Sequence, residues 1–133
     1  MKKFENYISN LQVLSQASKQ DLTNDFIISG LIDKFFIQFE LGWKLMKDLM
    51  QYEGRREGTT GSPRAIIKAA YVTYDFMDEE VWLSMLKDRN DMTHIYDGGA
   101  AKKLVDKIIA EYIPAFIQFG EDIKRVYGEY IYE

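Results

Sequence analysis

Nine consecutive residues near position 90 combine side chains suited to acid–base chemistry on a phosphodiester. They are Arg89-Asn90-Asp91-Met92-Thr93-His94-Ile95-Tyr96-Asp97, and they include the only histidine of the chain. A histidine at a helix C-terminus lies near the negative end of the helix dipole, which raises its pKa into the physiological range. His94 would take a proton from an RNA 2′-hydroxyl or give one to the leaving oxygen, while Arg89 neutralises charge on phosphorus. The stretch therefore predicts metal-free catalysis by Arg89 and His94.

The spacing of these residues leaves two interpretations open. Arg89 and His94 lie about 140° apart around an ideal helix, so they converge only if the helix loosens or two copies of the chain face each other. Asn90 and His94, four positions apart, would share one face of a continuous helix. In the alternative, Arg89 pairs with Asp88 or Asp91 and His94 caps the helix. If the stretch is a site, the residues expected to bind a substrate or nucleotide are Asn90, Asp91, Thr93 and Tyr96.

Composition restricts the classes of function. The absence of cysteine removes disulfides, thiolate metal ligands and cysteine nucleophiles, and a single histidine argues against structural zinc. We therefore expect no metal and no cofactor. The net charge of −4 does not attract nucleic acid, so such contact would need a local basic patch. We find no signal peptide and no apolar run long enough to span a membrane, so we expect a cytoplasmic protein.

Apolar residues recur at three- and four-residue spacing, which predicts an all-α protein with one helical-bundle domain over residues 1–133. The second and last helices are expected to be the longest. The predicted helices cover residues 3–19, 23–53, Ser62 to near Tyr74, Asp78 toward His94, and a long final stretch after Asp97. Pro114 should kink the final helix because proline lacks a backbone donor. Residues 127–133 are predicted to fray.

The second helix carries more apolar surface than one small core needs. One stripe includes Phe35, Phe39 and Met46, and a second set on other faces includes Ile37 and Leu41. Two apolar faces predict either a central helix or one that also meets another subunit. We expect a homodimer with the Arg89–His94 stretch at or near its interface. Glu40, beside the stripe, is expected to form a surface ion pair with Lys44.

Residues 54–61 form a glycine-rich break between helices, around which Arg55, Arg56 and Arg64 gather positive charge. The glycine spacing fits neither a phosphate-cradling loop nor a dinucleotide-binding fingerprint, and no strand precedes it. Basic loops of this kind are usually solvated, and this is our interpretation of the segment.

Four stretches, in order along the chain, resemble the nucleotidyltransferase substrate-binding family, whose members are encoded beside a minimal nucleotidyltransferase. They are Phe36-x2-Phe39-Glu40-x2-Trp43-Lys44, Ser62-Pro63-Arg64, Trp82-Leu83-x-Met85-Leu86-x-Asp88-Arg89-Asn90 and Thr93-His94-x-Tyr96-Asp97. The pattern Arg89-x4-His94-x-Tyr96 also resembles the motif of HEPN-domain proteins. The resemblance implies an up-and-down bundle of four or five helices that dimerises and pairs with a separate nucleotidyltransferase, which carries the metal-binding carboxylates.

The resemblance implies one of two functions. The first is a non-catalytic substrate-binding partner subunit of that nucleotidyltransferase. The second is a metal-independent RNase toxin whose antitoxin is the nucleotidyltransferase, with Arg89 and His94 from two subunits lining a composite cleft. Tyr96 matches a tyrosine that some partner enzymes modify with nucleotides. The acidic net charge departs from a typical RNase toxin. A helical interaction protein of other purpose is the third alternative.

Overall fold

The fold is built from helices, and the described residues contain no β-strand, which confirms the all-α prediction. The structure is a computed structural model that describes residues 1–56, 58 and 61–132, and the side chains of these residues apart from His94 and Tyr96. The helices are α1 (Lys2–Leu14), α2 (Asp25–Tyr52), α3 (Pro63–Thr73), α4 (Glu79–Asn90), α5 (Thr93–Tyr96), α6 (Gly98–Lys107) and α7 (Ile113–Ile131). A 3₁₀ turn covers Ala17–Lys19 and a π-helical segment covers Ile108–Tyr112. Within the described part of the chain, no helix is both long and apolar enough to cross a bilayer.

Short polar side chains fix the starts of four helices. Asn24, Ser62, Asp78 and Asp97 each accept a hydrogen bond from a backbone N–H two or three residues later. Pro63 follows Ser62 in the first turn of α3, where a missing N–H leaves no bond unmade. Such caps satisfy helical amides that have no partner within the helix, and each typically contributes about 1 kcal/mol.

α2 is the central helix, since α1, α3, α4 and α6 all pack against it. Its apolar residues lie on several faces of the helix, so each neighbouring helix packs against a different face. The buried apolar side chains of α2 are Leu31, Ile32, Phe35, Phe39, Leu45, Met46, Leu49 and Met50. Of the two alternatives that the apolar faces left open, the structure shows the central helix; contact with another subunit stays a prediction.

A chain of hydrogen bonds satisfies the buried polar residue of α2. Gln38 is fully buried, its Nε2 donates to the Tyr7 carbonyl oxygen at 3.1 Å, and its Oε1 accepts from Asn10 Nδ2 at 2.8 Å. Tyr7 Oη in turn donates to the Phe116 carbonyl oxygen at 2.6 Å. A buried amide is costly unless its donors and acceptor are paired. These bonds therefore fix α1 and α7 at defined positions against α2.

The final helix differs from its prediction in two places. The turn before Pro114 widens into the π-helical segment, which accommodates a residue without a backbone donor. The non-helical backbone lies later, at Tyr127, with φ −118° and ψ 20°. The predicted fraying of residues 127–133 is wrong for its described part, because helix continues to Ile131 and both Tyr127 and Ile131 are buried. Phe4 of α1 packs against Tyr132 and helps to hold this end.

The close approach of α4 to α2 depends on Gly42. A Cβ atom placed there would lie 2.7 Å from Cη2 of Trp82 and 3.4 Å from Cε2 of Tyr7. The Trp82 indole is 2% exposed and packs edge-on against the rings of Phe116 and Phe119. Because the indole is enclosed in this way, it has no free space into which to shift.

We predict that Gly42→Ala lowers the free energy of unfolding by about 1 kcal/mol. Overpacking costs about 1–3 kcal/mol, and the higher helix propensity of alanine offsets only about 0.5–1 kcal/mol of that cost. Gly30, in the same helix, has open space where a Cβ would be placed, so Gly30→Ala should raise that free energy by about 0.5–1 kcal/mol. Urea denaturation of both variants measures the difference. Stabilisation of similar size in both would show that the Trp82 contact is not tight.

Candidate functional site

The helix that carries Arg89 ends at Asn90, before His94 is reached. Asp91 adopts extended backbone, with φ −84° and ψ 115°, and α5 begins at Thr93. Asp91 Oδ1 accepts a hydrogen bond from the Thr93 backbone N–H at 2.9 Å, which closes the intervening turn. Asparagine and aspartate compete for local backbone bonds in this way, which explains the break. The prediction that α4 continues to His94 is therefore wrong, and Asn90 and His94 do not share one continuous helical face.

Four of the predicted site residues have described side chains. Arg89 is half-buried and its Nη1 donates to Asn90 Oδ1 at 3.0 Å, while Asn90, Asp91 and Thr93 are exposed. The structure therefore brings Arg89 and Asn90 together at the end of α4 and joins Asp91 to Thr93 in the following turn. The side chains of the other two, His94 and Tyr96, lie outside the described residues. Their approach to Arg89 stays a prediction.

An acid on α2 holds the Arg89 side chain. Glu40 Oε1 lies 2.5 Å from Arg89 Nη2, and Glu40 Oε2 accepts a hydrogen bond from Trp43 Nε1 at 3.0 Å. Lys44 Nζ, the partner predicted from sequence, lies 3.9 Å from Oε2. The side chains of Arg89 and Glu40 are 35% and 29% exposed, so water screens the pair and its contribution to stability is modest. Its main effect is to fix the direction of the guanidinium.

The guanidinium keeps donors for a further partner. Glu40 Oε1 is buried and contacts Arg89 through one guanidinium nitrogen, Nη2, as an ion pair. Arginine carries five N–H donors, and one of them serves Asn90. An anion beside Arg89 would meet a fixed positive charge that still has donors to offer.

A polar cluster holds the neighbouring face of α4 against the end of α6 and the π-helical segment. Tyr112 Oη donates a hydrogen bond to Asp88 Oδ2 and lies 2.8 Å from Ser84 Oγ. Lys107 Nζ donates to Ser84 Oγ at 2.7 Å and lies 3.3 Å from Asp88 Oδ2. The cluster therefore uses Asp88 to fix the backbone that presents Arg89.

Both cationic and phenolic members of this cluster have raised pKa values. Burial, supported by the hydrogen bond to Asp88, raises the pKa of the Tyr112 phenol from 10.0 to about 12. Burial alone would lower the pKa of the Lys107 ammonium, but its contacts with Tyr112 and Asp88 outweigh this and raise it. At neutral pH the cluster therefore holds a protonated phenol and a charged ammonium, which suits a structural role.

Two open grooves meet at Arg89. The first, here called the apolar groove, has a volume of about 470 Å³ and separates α2 from the end of α4; it is lined chiefly by Phe36, Ile37, Leu41 and Met92 beside Glu40 and Lys44. The second, here called the basic groove, has a volume of about 640 Å³ and lies between the start of α3 and α4; its charged lining is Arg64, Lys87, Arg89 and Asp91. Arg89 therefore has access to ligands in either groove.

The grooves gather residues that are far apart in sequence but belong to the stretches singled out above. The apolar groove includes Phe36, Glu40 and Lys44, and the basic groove includes the whole of Ser62-Pro63-Arg64. Sequence reasoning assigned Glu40 and Arg64 to ordinary surface roles and did not consider Lys87. The one sequence signal that could have marked Glu40 and Arg64 as site residues is their position within those stretches. Among the described residues, no group of three or more histidine or acidic side chains could hold a metal ion.

The sequence model of the family described as "Nucleotidyltransferase substrate binding protein like" matches residues 1–125. The matched range contains all four stretches and every lining residue of both grooves, and it ends within α7. No curated protein matches the chain.

We predict that stability declines in alkaline solution through Tyr112. A group whose folded-state pKa is raised contributes stability below its unfolded pKa, and this is lost as the pH rises through the folded value. The free energy of unfolding should therefore fall between about pH 10 and about pH 12, and Tyr112→Phe should reduce the slope. Urea denaturation across this range measures it. Other tyrosines with raised pKa values, including Tyr7 and Tyr74, account for the remaining slope. An unchanged slope in Tyr112→Phe would contradict the assignment.

Proposed function

Because the chain belongs to the nucleotidyltransferase substrate binding protein like family, we propose that it is the non-catalytic partner subunit of a separately encoded minimal nucleotidyltransferase. The observation that carries the proposal is the match of the family model to residues 1–125. In this arrangement the partner supplies the metal-binding carboxylates and transfers the nucleotide. The present chain supplies a helical surface that binds the partner and its substrate.

The convergence of the two grooves at Arg89 supports this assignment. Residues from α2, α3 and α4 meet there, and all belong to stretches on which the resemblance rests. Arg89 is oriented by Glu40, and Asn90, Asp91 and Thr93 are exposed beside it. Oriented charge beside exposed hydrogen-bonding groups is the composition expected of a substrate-binding surface. We assign substrate contact to these residues, with His94 and Tyr96 completing the surface.

Co-expression with the nucleotidyltransferase encoded beside this chain tests the proposal. We expect the two proteins to co-purify and to elute together from a size-exclusion column. The partner alone should transfer nucleotide to fewer acceptors, or more slowly, than the complex. Separate elution of two folded proteins would contradict a partner-subunit role.

We also propose that two copies of the chain meet through the apolar groove. Ile37 and Met92 are 47% and 54% exposed, and Leu41 and Phe36 are partly buried against the core. The same surface carries Glu40 and Lys44, which have opposite charges. A two-fold axis places one patch against its own copy, so a patch with both signs of charge can be self-complementary. Such an axis would also bring two Arg89–His94 stretches together.

We predict that Ile37→Glu converts the dimer into a monomer, because it buries a charge without a partner at the proposed interface. Multi-angle light scattering at micromolar concentration should give about twice the 15.6 kDa chain mass for the unmodified protein and one chain mass for the variant. Val72→Glu is the control, since Val72 is 82% exposed on α3 outside the apolar groove. A monomeric unmodified protein would rule out this interface.

A second candidate function, a metal-independent RNase toxin of HEPN type, is favoured by the position of Arg89. Its guanidinium is partly exposed where the grooves meet, as a group that neutralises charge on the pentacoordinate phosphoryl transition state must be. His94 would accept the proton of the attacking 2′-hydroxyl, and the proton required by the leaving oxygen would come from His94 of the second copy or from water. The nucleotidyltransferase would then act as the antitoxin.

We predict that His94→Ala distinguishes the two functions. If the chain is an RNase, expressing it alone should arrest growth, and the variant should relieve the arrest and lose at least about 100-fold in cleavage rate, as expected for a general acid–base group. Lys19→Ala, on the 3₁₀ turn, is the control and should remain toxic. Absence of both growth arrest and cleavage in the unmodified protein would leave only the partner-subunit function. A variant that fails to melt cooperatively near the unmodified temperature would assign His94 a structural role.

A further inference from the structure

We propose that the basic groove is a nucleotide-phosphate site in which Arg64 and Lys87 bind phosphate groups and present one of them to Arg89. The inference deepens the proposed function, because it assigns a ligand chemistry and binding residues to the same surface. It does not require the partner enzyme, since the groove is formed entirely by this chain. It also assigns a role to two residues outside the Arg89–His94 stretch.

The charge of the groove is opposite to that of the protein. The chain carries a net charge of −4, whereas the groove is lined by three cationic side chains and one acid, Asp91. Concentrated positive charge in a concave surface raises the local concentration of anions, even when the whole protein repels them. Arg64 and Lys87 are exposed and project into solvent-accessible space, so a ligand can bind them without displacing packed side chains.

The cations come from both walls of the groove. Arg64 lies in the first turn of α3, and Lys87 and Arg89 lie in the last turn of α4. A phosphate between the two helices can therefore be contacted from opposite sides. Arg89 is already oriented by Glu40, so only the two outer side chains must become ordered when a ligand binds. Ser62 and Asn90, also in the lining, offer neutral hydrogen-bonding groups.

The remaining lining fits the organic part of a nucleotide. Pro63, Leu83 and Leu86 contribute apolar surface beside the cations. Inorganic anions would gain nothing from this surface, whereas a base or ribose could lie against it and release water. The groove volume of about 640 Å³ is within the range of small-ligand sites and exceeds what a single phosphate needs. The combination favours a ligand with phosphate groups attached to a flat, partly apolar ring.

A nucleoside triphosphate and single-stranded RNA share this chemistry, and direct binding measurements separate them. Fluorescence anisotropy of the full chain would be recorded with a labelled single-stranded oligoribonucleotide, and with a labelled nucleoside triphosphate, over a series of salt concentrations. If RNA is the ligand, the logarithm of affinity should fall steeply with the logarithm of salt, by about 0.7 for each phosphate contact. If the triphosphate is the ligand, it should bind directly and displace the oligoribonucleotide.

Arg64→Glu and Lys87→Glu should each lower the affinity at least tenfold for whichever of the two ligands the unmodified chain binds. Arg64→Ala and Lys87→Ala should show smaller losses, and on RNA each should reduce the salt slope by about 0.7. The control is Lys19→Glu, which makes the same change in net charge at an exposed residue outside the groove and should alter affinity less than twofold. Circular dichroism would confirm that each variant keeps its helical content.

Three results would overturn the proposal. They are undetectable binding of both ligands by the folded chain, unchanged affinity in the Arg64 and Lys87 variants, and an equal loss in Lys19→Glu, which would indicate attraction by overall charge. Co-purification with the nucleotidyltransferase reports on the partner-subunit function separately. An unmodified chain that co-purifies with the nucleotidyltransferase but binds neither ligand would contradict the phosphate site and leave the partner role in place.

Discussion

Burial of α2 on several sides is the constraint on which the rest of the structure depends. The helix has 28 residues, and its apolar side chains face α1, α3, α4 and α6. Each of these helices must therefore present a surface that fits one sector of α2, and at Gly42 the fit is close enough that the Trp82 indole lies against the helix backbone. Because α3 and α4 are both positioned by α2, the separation of their ends is fixed. The basic groove between them is a consequence of how these helices pack on α2.

The charged side chains of α2 near the candidate site lie on the part of the helix that faces away from the core. Ile37, Leu41 and Lys44 lie along its solvent-facing edge, and Glu40 extends from the same edge toward α4. On α4, neighbouring residues point about 100° apart, so Asp88 and Arg89 reach different surroundings. Asp88 joins the cluster around Tyr112, while the next residue turns toward Glu40. One turn of helix thus carries an acid, Asp88, and a cation, Arg89, each paired with an oppositely charged side chain.

The parts of the fold that depend on local chemistry were predictable. Helix starts at Asn24, Ser62 and Asp97 follow from side chains that cap amides within three residues. The end of α7 was less predictable, because a tertiary contact decides it. After the non-helical residue Tyr127, helix continues to Ile131 because Ile131 packs into the core, a contact that no local pattern contains. The ion pair of Glu40 with Arg89 was missed for the same reason, since its two members are distant in sequence.

The break at Asp91 changes the physical basis of the candidate site. If α4 had continued, the angle between Arg89 and His94 would have been set by helix geometry and would have kept them apart. Because α5 is a separate turn, their relative position depends instead on the turn at Asp91 and on whatever packs against Ile95, which is 51% exposed. A second copy or a partner subunit bound there would therefore influence whether the two residues act together. The basic groove depends less on that turn, since apart from Asp91 its lining lies on or beside α3 and α4, which both pack against α2. The proposed phosphate contacts of Arg64 and Lys87 and the proposed acid–base chemistry of His94 thus share Arg89, but their other residues lie on different parts of the structure.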